Sequence, residues 1–81
     1  MKLWFISQSQ HSGYDTYDSA VVSAETAENA AKIDPYGRVW PDWRDDPYPC
    51  WATDWEQVLV TEIGEAAEGV AGVICASFNA G

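Results

Sequence analysis

Glu25-Thr26-Ala27-Glu28-Asn29-Ala30-Ala31-Lys32-Ile33 is the one stretch with a helical period, and its place in the chain decides the fold. Ala27, Ala30 and Ala31 recur at i, i+3 and i+4, a narrow apolar stripe built from the best helix former. Glu25 and Glu28 at its start and Lys32 at its end match the helix dipole. Asp34 precedes Pro35 and is kept out of the α region, which ends the helix. Two to three turns are not stable in isolation, so this helix must pack against a sheet.

Upstream, Lys2-Leu3-Trp4-Phe5-Ile6-Ser7-Gln8 carries the β-branched and aromatic residues that suit a half-buried strand, with Trp4 and Ile6 on one side and Leu3 and Phe5 on the other. A polar turn from Ser9 to Gly13 leads to a second strand centred on Ser19-Ala20-Val21-Val22-Ser23, and strands this close in sequence pair as a hairpin. Downstream, residues 35–56 show no periodicity, and all four prolines and four of the five tryptophans fall within them. Regularity returns at Gln57 to Ile63 and again at Val70 to Phe78, separated by a turn at Gly64 to Gly69. In the last strand, strict alternation places Val73, Cys75 and Ser77 on one face and Ile74, Ala76 and Phe78 on the other. The order ββα-loop-ββ predicts an α+β domain over residues 1–81, with an antiparallel sheet of about four strands and one short helix on one face. A small open barrel plugged by the helix is the less favoured alternative.

The chain has 81 residues, 13 Asp and Glu, 4 Lys and Arg, and a net charge of −9. That balance repels nucleic acid and anionic membrane and draws in basic surfaces. Disordered acidic chains are poor in aromatics, whereas this one is 47% hydrophobic with five Trp, four Tyr and two Phe, so it is expected to fold. Apolar runs such as Leu3 to Ile6 are far short of the ~18–20 residues that span a bilayer, and no secretory segment is recognised. Cys50 and Cys75 are expected to stay free, with Cys75 a small buried hydrophobe, as is usual in a reducing compartment.

Gly13-Tyr14-Asp15-Thr16-Tyr17-Asp18-Ser19-Ala20-Val21-Val22, Ile33-Asp34-Pro35 and Gly72-Val73-Ile74-Cys75-Ala76-Ser77-Phe78-Asn79-Ala80-Gly81 resemble a group of small acidic bacteriophage-encoded proteins. The likeness covers nearly the whole chain, with residues 36–56 as its variable part. Small acidic phage proteins include many anti-CRISPR inhibitors and other host-takeover factors. By size, charge and origin the resemblance implies an inhibitor working in the host cytoplasm.

Catalytic constellations are weak. His11 is the only histidine and lies in a Ser/Gln-rich turn, so a nucleophile–base dyad has a single solvated candidate. No paired Cys/His spacing suits zinc, and neither Asp15/Asp18 nor Asp42/Asp45/Asp46 follows a calcium-loop pattern. No enzyme activity, metal or cofactor is expected, and a hydrolase built on Asp15, Asp18 or Cys50 is the least favoured reading.

The sharpest feature is the aromatic, acidic stretch from Val39 to Trp55. Trp40, Trp51 and Trp55 are expected to fold back and enlarge the core, with Trp43 or Tyr48 as an exposed anchor ringed by acids. Arg38 and Arg44 are outnumbered there by Asp42, Asp45, Asp46 and Asp54, which disfavours direct nucleic-acid binding. The expected contact surface is therefore Tyr14, Asp15, Asp18, Asp42, Trp43, Asp45, Asp46, Tyr48 and Asp54. The partner it fits is a host protein with a basic surface, such as a CRISPR–Cas surveillance complex. The other reading is a structural or interaction module, monomeric or homodimeric, that uses the edges of the sheet.

Overall fold

The computed structural model describes residues 1–10, 16–46 and 50–79, with the backbone alone at 78 and 79. Its elements run β1 (Lys2–Ser7), β2 (Thr16–Ala24), α1 (Ala27–Ala31), a 3₁₀ turn at Trp55–Gln57, β3 (Leu59–Glu65) and β4 (Gly72–Asn79). The strands form one antiparallel sheet in the order β3-β1-β2-β4, and α1 packs across β1, β2 and β3. This is a small α+β fold: a four-stranded antiparallel sheet with one short helix. No helix among the described residues is long and apolar enough to cross a membrane.

β1 and β2 pair in unbroken register from Lys2↔Ala24 to Ser7↔Ser19. Trp4 and Ile6 point into the core beside Val22 and Ala20, as the alternation predicts. Small residues on β2 make room for the indole of Trp4, whose Nε1 donates to the Ala24 carbonyl at 2.9 Å. Because β1 is antiparallel to both β2 and β3, β2 and β3 run parallel with β1 between them. The chain must therefore cross the core face between β2 and β3, and α1 and the tryptophan-rich loop make that crossing. β3 and β4, although consecutive, lie on opposite edges. The link between them is held to the end of the sheet by Ala66 N donating to Met1 O at 2.9 Å and Ser23 Oγ donating to Val70 O at 2.8 Å.

α1 is shorter than the periodicity predicts. Thr26 adopts extended angles (φ −135, ψ 161) and its side chain accepts from Asn29 N, so it caps the helix and leaves Glu25 outside. Ala30 and Ala31 are buried, but Ala27 is exposed. A helix of five residues covers little of the sheet, and the loop covers the rest. Trp43 and Trp51 are each 3% exposed, Ala52 is buried beside them, and Trp40 and Trp55 pack against this cluster. Trp43 is thus a core residue and not the exposed anchor expected of it. Its ring meets that of Trp40 edge-on at 4.8 Å.

The predicted alternation fails in β4. Val22 pairs with Val73 but Val21 pairs with Cys75, so Ile74 is an extra, bulged residue. Val73 therefore packs on the core, while Cys75 and Ser77 share the opposite face with Val21 and Ser19. Cys50 and Cys75 are both free, as expected, but Cys75 is exposed and not buried.

Truncating a buried Trp removes a large apolar area and leaves a cavity, which costs about 3–5 kcal/mol. Urea denaturation of Trp43→Ala should show a loss of that size at unchanged m-value, a large share of the ~5–15 kcal/mol typical of a whole domain.

Candidate functional site

Asp34 is fully buried, and its carboxylate organises the loop that follows α1. Oδ1 accepts from the backbone N–H of Tyr36 at 3.1 Å and of Arg38 at 2.7 Å, and Oδ2 accepts from Arg38 Nε at 2.7 Å. Asp34-Pro35-Tyr36-Gly37 closes a turn with Gly37 N donating to Asp34 O at 2.9 Å, and Gly37 takes the positive φ of 87° that its lack of a side chain permits. The fork of Arg38 then reaches forward, Nη2 donating to Asp46 Oδ2 at 3.1 Å. Partial burial alone would lower the pKa of Arg38, but its bonds to Asp34 and Asp46 outweigh this and raise it above the ordinary value.

The returning loop is tied to α1 and β2. Trp40 N and Trp43 Nε1 both donate to Lys32 O, at 2.7 and 2.8 Å. Tyr36 meets Tyr17 edge-on at 5.3 Å and lies 5.2 Å beneath the Arg38 guanidinium. Tyr17 N donates to Cys50 O at 2.8 Å, and the Cys50 thiol donates to Tyr36 Oη at 3.2 Å. The hydrogen bond with Cys50, with some desolvation and the charge of Cys50, pushes Tyr36 up to about 12 from its ordinary 10.

The described acids singled out in the sequence take three kinds of place. Asp45 and Asp46 line one cleft of about 160 Å³ with Arg38, Trp43, Cys50, Trp51, Ala52 and Thr53. That volume is below the roughly 300–1,000 Å³ usual for small-molecule sites. Asp42 is exposed outside it, and Asp18 is exposed on β2. Asp54 serves the backbone, capping the 3₁₀ turn by accepting from Glu56 N at 3.0 Å. Tyr14, Asp15 and Tyr48 lie outside the described residues, as does His11.

Sequence reading missed Asp34 and Arg38 as organisers. The Asp-Pro-x-Gly run carried the signal, since an Asp before a turn hydrogen-bonds the backbone two residues on. Gln10, whose Oε1 accepts from Thr53 N at 3.0 Å, had no such signal.

No protein-family model matches the chain, and neither a curated protein nor a solved structure matches it.

Two outcomes follow from this geometry. Asp34→Asn sets an amide N–H₂ against the donors of Arg38, and should cost about 2–4 kcal/mol in urea unfolding, whereas Asp45→Asn should stay within about 0.5 kcal/mol. The Tyr36 Cζ shift should titrate near 12, with Cys50→Ala returning it toward 10. Because the folded value is the raised one, the associated stability is present below pH 10 and is lost as pH rises through about 12.

Proposed function

We propose that the chain is a non-catalytic, phage-encoded inhibitor of the anti-CRISPR type, which binds a host nucleic-acid-binding complex through its carboxylates and occludes the nucleic-acid site. One observation carries the reading. Every lysine and arginine lies in an ion pair inside the chain: Lys2 with Glu62 at 3.4 Å, Lys32 with Glu28 at 3.1 Å, Arg38 with Asp34 and Asp46, and Arg44 with Asp45 at 3.5 Å. The exposed pairs are weak in energy, but they place a carboxylate beside each cation that a phosphate could otherwise use. Lys32 is further engaged, 4.9 Å over the ring of Trp55. The net charge of −9 therefore stands largely on surface carboxylates outside these pairs, such as Glu25, Asp42, Glu56, Glu65 and Glu68, all exposed.

The mechanism is competition for a Lys/Arg surface. Carboxylates fixed on a folded scaffold occupy cations that otherwise meet backbone phosphates, and contacts of this kind supply much of the affinity at nucleic-acid sites. The loop is suited to the task because Trp43 and Trp51 are buried while Asp42 and Asp45 are exposed. Asp42 and Asp45 stand outward while Trp43, between them, anchors the backbone.

A purified type I surveillance complex, mixed with its target DNA and this protein, tests the proposal. Inhibition should weaken at least tenfold between about 50 and 200 mM salt. The double variant Asp42→Asn/Asp45→Asn should bind more slowly with little change in thermal stability, since steering by charge acts mainly on the on-rate. Binding that ignores both salt and these two carboxylates would overturn the occlusion mechanism.

A further inference from the structure

We infer that β4 is a self-association strand: two copies pair through their β4 edges, antiparallel about a two-fold axis, and extend the sheet to eight strands. The inference goes beyond the inhibitor reading and does not rest on it. The two edges of the sheet are built differently. β3 carries Glu62 and Glu65 and is bulged at Ile63, devices that discourage edge pairing. β4 reads Gly72-Val73-Ile74-Cys75-Ala76-Ser77-Phe78-Asn79 and has no charged residue, in a chain that is 21% charged. Its own bulge at Ile74 lies near its start, and the second irregularity of the pair, opposite Ser77 and Phe78, is taken up by the inserted Asp18 of β2. Ile74, Cys75, Ala76 and Ser77 are exposed.

The uncharged surface continues from this edge across the sheet face turned away from α1. Leu59, Ser7, Ser19 and Ser77 form one cross-strand row and Thr61, Phe5, Val21 and Cys75 a second; in the third, Gly64, Leu3, Ser23 and Gly72, Ser23 is buried. None is charged, and the single carboxylate of β2, Asp18, sits one strand in from the edge.

Charge selects the occupant. Two molecules of −9 repel each other, so they approach most easily where neither shows a carboxylate, and β4 provides that place. A basic partner drawn to the acidic surface gains no Coulomb energy there. Antiparallel pairing about a two-fold is also closed, because each edge satisfies its own copy and leaves no further edge of this kind. One added strand covers a few hundred Å² per molecule, less than the ~800 Å² of a standard interface, so the dimer is weak. Screening of the mutual repulsion makes it stronger as salt rises, opposite to the salt response of the inhibitor reading. Failure of one is therefore distinguishable from failure of the other.

Sedimentation velocity should show a dimer at about 100 µM that dissociates on dilution toward 1 µM, with association favoured by salt. Ser77→Lys should weaken dimerisation roughly tenfold or more by placing like charges across the strand pair, although it lowers the net repulsion. Leu59→Lys makes the same charge change at the far end of the same row and should leave the dimer intact. A wild type that stays monomeric overturns the inference and leaves the edge to a strand from another protein. Loss of the dimer in both variants points to stacked sheet faces, and loss in Leu59→Lys alone to the β3 edge; either overturns it. Should Ser77→Lys fail to fold, amide exchange on the wild type decides: slower exchange at 75–79 at high concentration is expected, and unchanged exchange overturns the inference.

Discussion

The carboxylate of Asp34 has no exposed surface, and the fold around it follows from the need to compensate that charge. A buried carboxylate without partners costs several kcal/mol, whereas charge-assisted hydrogen bonds return about 1.5–3 kcal/mol each. Its three bonds all come from residues 36–38, so the chain must reverse direction directly after α1. The reversal sets Val39 opposite Ile33 in a single β-bridge and brings Trp40 and Trp43 back onto the Lys32 carbonyl. Arg38, held by Asp34 at one end, holds Asp46 at the other. One buried charge thus converts an aperiodic loop into a layer with a defined inner side.

That inner side matters because α1 is too short to cover the sheet. Five helical residues with two buried alanines leave much of the face formed by β1 and β2 open. Trp43 and Trp51 close it, and each Trp buries about 150–250 Å², on the order of 4 kcal/mol of gross transfer energy. The alanines on β2 and α1 are the counterpart of these large rings: small residues across from large ones let the two layers approach closely.

The legible parts of the fold were those with a period. β1 declared both its faces through alternation, and Trp4 and Ile6 lie where that alternation places them. The helix ends were misjudged because propensity counts residues, whereas a cap stops the helix by committing one side chain, here Thr26, to the backbone. In β4 the bulge left no mark, since Val73, Ile74 and Cys75 are all apolar or small and any of them suits either face. The fate of Trp43 was undecidable from composition, since an aromatic ringed by acids reads equally as an anchor or as core. What settled its position was the area left uncovered by a five-residue helix. The helix stops at Ala31 with Lys32 as its C-cap, short of the Asp34-Pro35 end read from the sequence, and Asp34 was missed as the acceptor that shapes what comes next.

The two unusual features of the composition, acid excess and tryptophan density, are physically linked. Carboxylates at a small surface repel one another by about 1 kcal/mol at 4 Å in water, and less beyond a Debye length of roughly 8 Å. Summed over a net charge of −9, this opposes the compact state in a chain of 81 residues, where the core is small to begin with. The loop answers within its own sequence: Asp42 and Asp45 face outward on either side of Trp43, which is buried. A segment that added the acids alone would loosen the fold, and one that added the tryptophan alone would expose no charge. Interleaving them lets the same residues raise the surface charge and strengthen the core, which is how so short a chain holds so strongly acidic a surface.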